Sequence, residues 1–337
     1  MFGVFGRGRK DAKGSGAGNR RDVPGVRTAV ALACADWHVQ SKAPACRSGE
    51  KDWMATQADY LLQLSRMQLS LAPRRDMPLP ILVPGDIFDK HNPTPELINW
   101  FVHNSPKMYA VPGNHDLPNN RLSDLCKSGF WTCCLTDRID YVDPHQEWQI
   151  PDNPMLRLWG FPWGKEVLPC PQPHDLHLEI ALVHTYLWAD RKTGYKDAPP
   201  EANLKRMAKR FAGYDVVLVG DNHVPFTAKI GNTTVVNCGS LMRRTADQKD
   251  YKPAVWVIYN DGSVEPKYLD ISRDVFDDSH LQAKREANAE VGKLADYLKG
   301  VHQETADFDE AVKRVIRDKS VKGSVRQTLQ ELLDEPG

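Results

Sequence analysis

Three apolar runs in this chain end alike. "ILVPGDIFD" (81–89), "YAVPGNHD" (109–116) and "YDVVLVGDNH" (214–223) each close a largely apolar stretch with a glycine and then acid, amide or imidazole side chains. Strands that are apolar on both faces belong in a sheet covered on both sides. In such sheets, ligands gather at the carboxyl ends of the strands. The chain must therefore fold so that several strand tips deliver polar groups to usable places.

Around these runs, apolar and amphipathic segments alternate. "TAVALACA" (28–35), "LPILV" (79–83), "MYAV" (108–111), "LHLEIALV" (176–183), "DVVLV" (215–219) and "TTVVN" (233–237) read as strands. Residues 52–71 have helical spacing in Tyr60, Leu61, Leu64, Met67 and Leu71, and 94–105 opens with a Thr-Pro-Glu helix start. A third helix is expected over 201–213, with Lys205, Arg206, Lys209 and Arg210 making it basic. Residues 254–271 read as a hairpin about Asp261-Gly262. Strand–helix alternation argues an α/β fold.

The ends differ from this body. Residues 1–27 hold seven glycines and seven Lys/Arg against two Asp, which predicts a flexible basic tail. Residues 272–337 read as a helical extension with apolar stripes between 291 and 333, able to pack on the body or on a partner's coiled coil. The body, 28–271, is one domain. No apolar run approaches the roughly 20 residues of a membrane span, and no signal-peptide core is present. A cytoplasmic protein without membrane contact is expected. Lys+Arg and Asp+Glu are 44 each, so any nucleic-acid site must be a local patch. None of the seven cysteines forms a CxxC pair, which leaves zinc-ribbon and redox motifs unsupported.

The chemistry lies at the strand ends. Asp36 and His38 come from "ADWH", Asp86 and Asp89 from "GDIFD", and Asn114, His115 and Asp116 from "GNHD". His184 ends "EIALVH", and Asp221 and His223 come from "GDNH". Any one of these has an ordinary explanation as a cap or turn residue. Together they supply carboxylates, imidazoles and an amide oxygen, a donor set for Mn²⁺, Fe²⁺ or Zn²⁺ too large for one ion. A two-metal site follows.

In this order, D-x-H, G-D-x-x-D, G-N-H-D, a strand-terminal His and a final G-x-x-H resemble the calcineurin-like metallophosphoesterases over about 36–240. The resemblance implies a four-layer α-β-β-α sandwich with the metal centre at the strand ends. It implies Asp36, His38 and His223 on one metal, Asp86 bridging, and Asn114 and His184 on the second. His115 would lie unligated beside the scissile phosphate as the catalytic residue, and Asp89 or Asp116 would orient a histidine. The implied chemistry is in-line attack by hydroxide held between the two cations.

"GDIFDKHNPTPELINWF" (85–101), "NCGSLMRRTADQKD" (237–250) and the hairpin after it are similar to SbcD-type DNA repair exonucleases. That likeness implies Mn²⁺ (with Mg²⁺ as the alternative), DNA as substrate, an SbcC-type coiled-coil ATPase as partner, and a homodimer. It places Arg243 and Arg244 near the DNA phosphates. The compact length resembles phage-encoded versions. The alternative function is a general phosphodiesterase or phosphatase acting on small nucleotides. Trp37 and Trp163 are better assigned to packing than to stacking on a base.

One element departs from the family pattern. The usual last motif is G-H-x-H, and Asp221 stands at its first histidine. If Asp221 ligates, three carboxylates (Asp36, Asp86, Asp221) face two dications, which favours harder ions over Zn²⁺.

Overall fold

Every predicted strand forms, and the tips converge. The computed structural model describes residues 26–277, except 75, 145–146, 151–152, 172 and 174–175, together with residue 317. The tail expected over 1–27 lies almost wholly outside the described residues, and so do the stripes at 291–333.

The first sheet contains β1 (Ala29–Ala33), β2 (Ile81–Pro84), β3 (Met108–Val111), β4 (Ile139–Tyr141), β11 (Ala254–Tyr259) and β12 (Val264–Tyr268), in the order β12-β11-β1-β2-β3-β4. The second contains β5 (Trp148–Ile150), β6 (Asn153–Phe161), β7 (Leu178–His184), β8 (Val216–Gly220), β9 (Phe226–Ile230) and β10 (Thr233–Asn237), in the order β5-β6-β7-β8-β10-β9. Strands β1 to β4 pair in parallel, as do β6, β7, β8 and β10. The edges are antiparallel: β11 and β12 on one sheet, β5 and β9 on the other.

Alternation along the strands builds three apolar layers. Ala31, Ala33, Leu82, Ile180, Leu182, Val216, Leu218 and Val236 point between the sheets. Leu32, Ile81, Val83 and Met108 point outward, against α1 (Trp53–Ser70), α2 (Pro95–Asn104) and α3 (Gly129–Leu135), through Tyr60, Leu61, Leu64, Leu97, Phe101 and Phe130. Ala181, Val183, Val217, Val219 and Val235 point out from the second sheet, under Leu187, Leu204, Phe211 and Tyr214. The result is the four-layer α-β-β-α sandwich. Caps fix the helix starts: Asp52 accepts from Ala55 N at 3.0 Å, and Thr94 from Leu97 N at 3.3 Å, with Pro95 following.

The expected 201–213 helix is shorter. It comprises α4 (Leu204–Met207) and a 3-10 turn, Ala208–Phe211, with the four basic side chains exposed. No described helix is long and apolar enough to cross a membrane.

The chain divides into two compact units. The sandwich and its strand tips lie in the first. The described part of the second is 43–50, 244–249 and 275–277, with residue 317. There Arg47 is buried and ion-paired with Glu50, Cys46 Sγ donates to Arg244 O at 3.1 Å, and Ser48 Oγ donates to Asp277 Oδ2 at 2.7 Å.

Candidate metal centre

Five parallel strands from the two sheets end at one place. Beyond β1 and β2 the ladder continues, with Asp36 N donating to Gly85 O at 3.2 Å and His38 N to Asp86 O at 2.9 Å. Within this ladder Asp36, His38 and Asp86 adopt φ of 51°, 46° and 53°, and Asp221 after β8 adopts 85°. Non-glycine residues rarely accept such angles, and clustered strain of this kind marks functional sites. Each turn swings a polar side chain away from the apolar layers toward the common centre. Two glycines make room. Gly85 has φ of 90° and a Cβ there would overlap the His184 ring, while a Cβ on Gly113 would overlap the Asp86 carboxylate.

The side chains meet closely. His38 Nε2 lies 3.1 Å from His223 Nε2 and 3.6 Å from Asp86 Oδ2. His184 Nε2 lies 3.2 Å from Asn114 Oδ1, 3.5 Å from Asp86 Oδ1 and 3.9 Å from Asp221 Oδ1. Three groups could each hold a metal ion, with ligand atoms within 4.8 Å of one another: Asp36, His38 and His223; Asp36, Asp86 and His184; His38, Asp86 and His115. Asp36, His38 and Asp86 each belong to two of the three groups.

Hydrogen bonding fixes which ring atoms face inward. His184 Nδ1 is 2.8 Å from Pro84 O, and His115 Nδ1 is 2.7 Å from Asp89 O. A carbonyl only accepts, so both Nδ1 atoms carry the proton. A neutral His184 then presents its Nε2 lone pair to the oxygens of Asp86, Asn114 and Asp221. Lone pair facing oxygen is favourable only with a proton or a cation between them. The donor set fits divalent cations on this ground.

The electrostatics agree. Burial is the largest influence on Asp36 and lifts its carboxyl well above the ordinary range, against the pull of His184. Burial also works to raise Asp86, but the charges of His184, His38 and His115 prevail and hold it below that range. Burial disfavours the His184 cation, yet Asp86, Asp36 and Asp221 push its pKa up to about 10. In the metal-free protein a proton sits where a cation would.

Other residues named from sequence fall elsewhere. Asp116 orients backbone, not a histidine: its carboxylate accepts from Gly113 N at 3.0 Å, Ile87 N at 3.2 Å and Phe88 N at 3.0 Å, tying the β2 and β3 tips together. Burial and then Asp86 push it up to about 7 against those three donors. Asp89 Oδ1 lies 4.0 Å from His38 Nδ1, beyond hydrogen-bond length. Arg243 is buried, its Nε 2.8 Å and its terminal nitrogen 2.6 Å from Asp274 Oδ2, a partner that leaves no free fork for a phosphate. Arg244 belongs to the second unit and is half-buried there, its backbone N donating to Gln248 Oε1 at 2.7 Å. Trp37 is fully buried against Phe101, and Trp163 sets its ring edge-on to His184 with centroids 6.2 Å apart. Two buried amides, Asn222 inside "GDNH" and Asn237 closing "TTVVN", also lie beneath the centre with no local pattern that singles them out. Asn237 closes a buried strand of threonines and valines.

This fold and donor set define a phosphoester-cleaving class. The family model of the calcineurin-like phosphoesterases matches residues 30–225, more than half of the chain, and the chain belongs to that family. It is a metallophosphoesterase, a hydrolase whose family uses divalent metals. Among curated proteins it is similar to the DNA double-strand break repair protein Mre11 of Haloferax volcanii, 34% identical over 104 residues that span 31% of this chain and 21% of that protein. It is similar also to the Mre11 of Halobacterium salinarum, 37% identical over 73 residues spanning 20% and 19%. The matches thus span about a fifth of the length of these relatives. Among solved structures, an archaeal phosphodiesterase aligns at 13% identity over 71% of this chain and 98% of its own, with a TM-score of 0.36.

Proposed function

We propose that this chain is a Mn²⁺-dependent DNA nuclease of the SbcD type. One ion would be held by Asp36, His38 and His223 and the other by Asn114, His184 and Asp221, with Asp86 between them. The observation that carries the reading is the convergence of oxygen and imidazole acceptors from five strand tips, with His184 Nε2 turned to three oxygens within 3.9 Å. DNA as the substrate is supported by the two archaeal double-strand break repair relatives. A cavity of about 380 Å³ beside His115 has both Asp89 and Lys90 in its wall, with His91, Asn92, Asn119 and Asn120.

Divalent cations in these sites supply neutralisation of phosphate oxygens and an activated water at neutral pH. The protein supplies position and protons. Asp86, held below the ordinary carboxylate range, keeps negative charge where cations are needed. With Nδ1 committed to Asp89 O, His115 has Nε2 left for the leaving oxygen, to which its protonated form donates. An SbcC-type ATPase is the proposed partner and a homodimer the proposed assembly.

The test is degradation of linear DNA by the purified protein with Mn²⁺, with and without the ATPase, beside His115→Ala and Asp86→Ala. Both variants should lose at least about a hundredfold in rate. Rapid turnover of bis-p-nitrophenyl phosphate with intact DNA in every reaction would replace the nuclease reading by a small-phosphodiester one.

A further inference from the structure

Two buried amides stitch together the loops that carry the ligands. The Asn222 side chain, 4% exposed, donates through Nδ2 to Leu187 O at 2.7 Å and Thr193 O at 2.8 Å, and its Oδ1 accepts from Val224 N at 3.1 Å. Leu187 lies three residues past His184, so these bonds tie the β8 tip to the β7 tip. Asn237, fully buried at the end of β10, donates through Nδ2 to Asn222 O at 2.6 Å and Val224 O at 2.8 Å. All four acceptors are backbone carbonyls, so the amide orientations follow from the bonds themselves. Asn237 Oδ1 is buried with no hydrogen-bond partner among the described residues. A stranded acceptor costs stability, which points to donation as the reason this amide is used.

The segment so held is 221–224, with Asp221 at φ of 85° and His223 two residues on. Strained backbone persists only where its surroundings over-determine it. We propose that Asn222 and Asn237 are positioning residues of the metal centre, setting the places of Asp221 and His223 relative to His184 and so the affinity for divalent cations. The inference rests on the ligand assignment proposed above. Neither amide touches a substrate; both act through the backbone of the ligand loop. The effect of removing such supporting groups on metal affinity is typically about 10- to 100-fold.

A matched control exists at the far end of the same strand. Thr233 is also buried, and its hydroxyl lies 3.2 Å from Phe211 O and 2.8 Å from Tyr214 O. The full chain, Asn222→Ala, Asn222→Asp, Asn237→Ala, Thr233→Ala and His223→Ala are titrated with Mn²⁺ by calorimetry and electron paramagnetic resonance, and unfolded thermally in chelator. Asn222→Asp keeps the acceptor and loses both donations. The expected result is Mn²⁺ affinity weakened at least about tenfold in the three asparagine variants, with an altered resonance spectrum, and unchanged affinity in Thr233→Ala at a comparable loss of thermal stability. Wild-type affinity and spectrum in Asn222→Ala and Asn237→Ala, with the pair still lost in His223→Ala, would overturn the inference and leave the ligand assignment standing. A wild-type chain that binds no Mn²⁺ would overturn the assignment and the inference with it.

Discussion

Asp221 is where a single residue carries the most information. Its half-buried carboxylate lies 3.9 Å from His184 Nε2, and its backbone N donates to both oxygens of Asp36 at 3.0 and 3.2 Å. Asp221→His restores the family's usual ligand and removes a negative charge. The ratio of Zn²⁺ to Mn²⁺ affinity should rise about tenfold or more, as read by competition titration. An unchanged ratio would take Asp221 out of the ligand set. His184 governs the pH dependence. Its folded pKa of about 10 stands above the ordinary 6.5, so its contribution to metal-free stability is complete below pH 6.5 and is lost as pH rises through about 10. A divalent ion must displace that proton. Mn²⁺ affinity should therefore climb with pH across this window, with about one proton released, measurable by calorimetry in buffers of different ionisation enthalpy. Affinity that falls with pH would contradict the ion-pair picture.

At the scale of elements, the thiols report how tightly the layers pack. Burial pushes Cys34, Cys133 and Cys134 up to about 12 and raises Cys238 well above the ordinary thiol range, while Cys126 is exposed. The native protein should release about one equivalent of thionitrobenzoate quickly at neutral pH, from Cys126, and the rest only on unfolding. Fast reaction of several thiols would mean the layers open readily. The strands that bear ligands were the easiest to read from sequence, because each is a short apolar run with a polar tip. β10 and the β11–β12 hairpin, which bear none, were legible too, but β4, β5, β6 and β9 were not. β6 runs through Pro154 and Arg157, and a buried arginine breaks an apolar pattern. Only the structure shows its charge met by Glu147 and by Glu179 at 3.0 Å. β9 alternates between half-buried and exposed residues at an edge and has no continuous apolar run. The residues that meet at the centre were legible because each stands in the polar tip of a short apolar run. The support beneath it was not. Asp116 on backbone amides, Arg243 on Asp274 and the paired amides at 222 and 237 depend on long-range contacts that no local pattern encodes.

For the whole molecule, two sheets of one sandwich contribute to a single centre, β1, β2 and β3 from one and β7 and β8 from the other. Closing the sandwich therefore assembles the site, and binding of cations should stabilise the closed fold. The balanced charge of 44 against 44 gives no global attraction for a polyanion such as DNA, so any site for one would be a local patch. The proposed centre holds two divalent ions. Anomalous diffraction from crystals soaked in Mn²⁺ measures this directly. Two peaks are expected, one among Asp36, His38 and His223 and one among Asn114, His184 and Asp221, both in contact with Asp86. A single peak, or peaks away from Asp86, would contradict it.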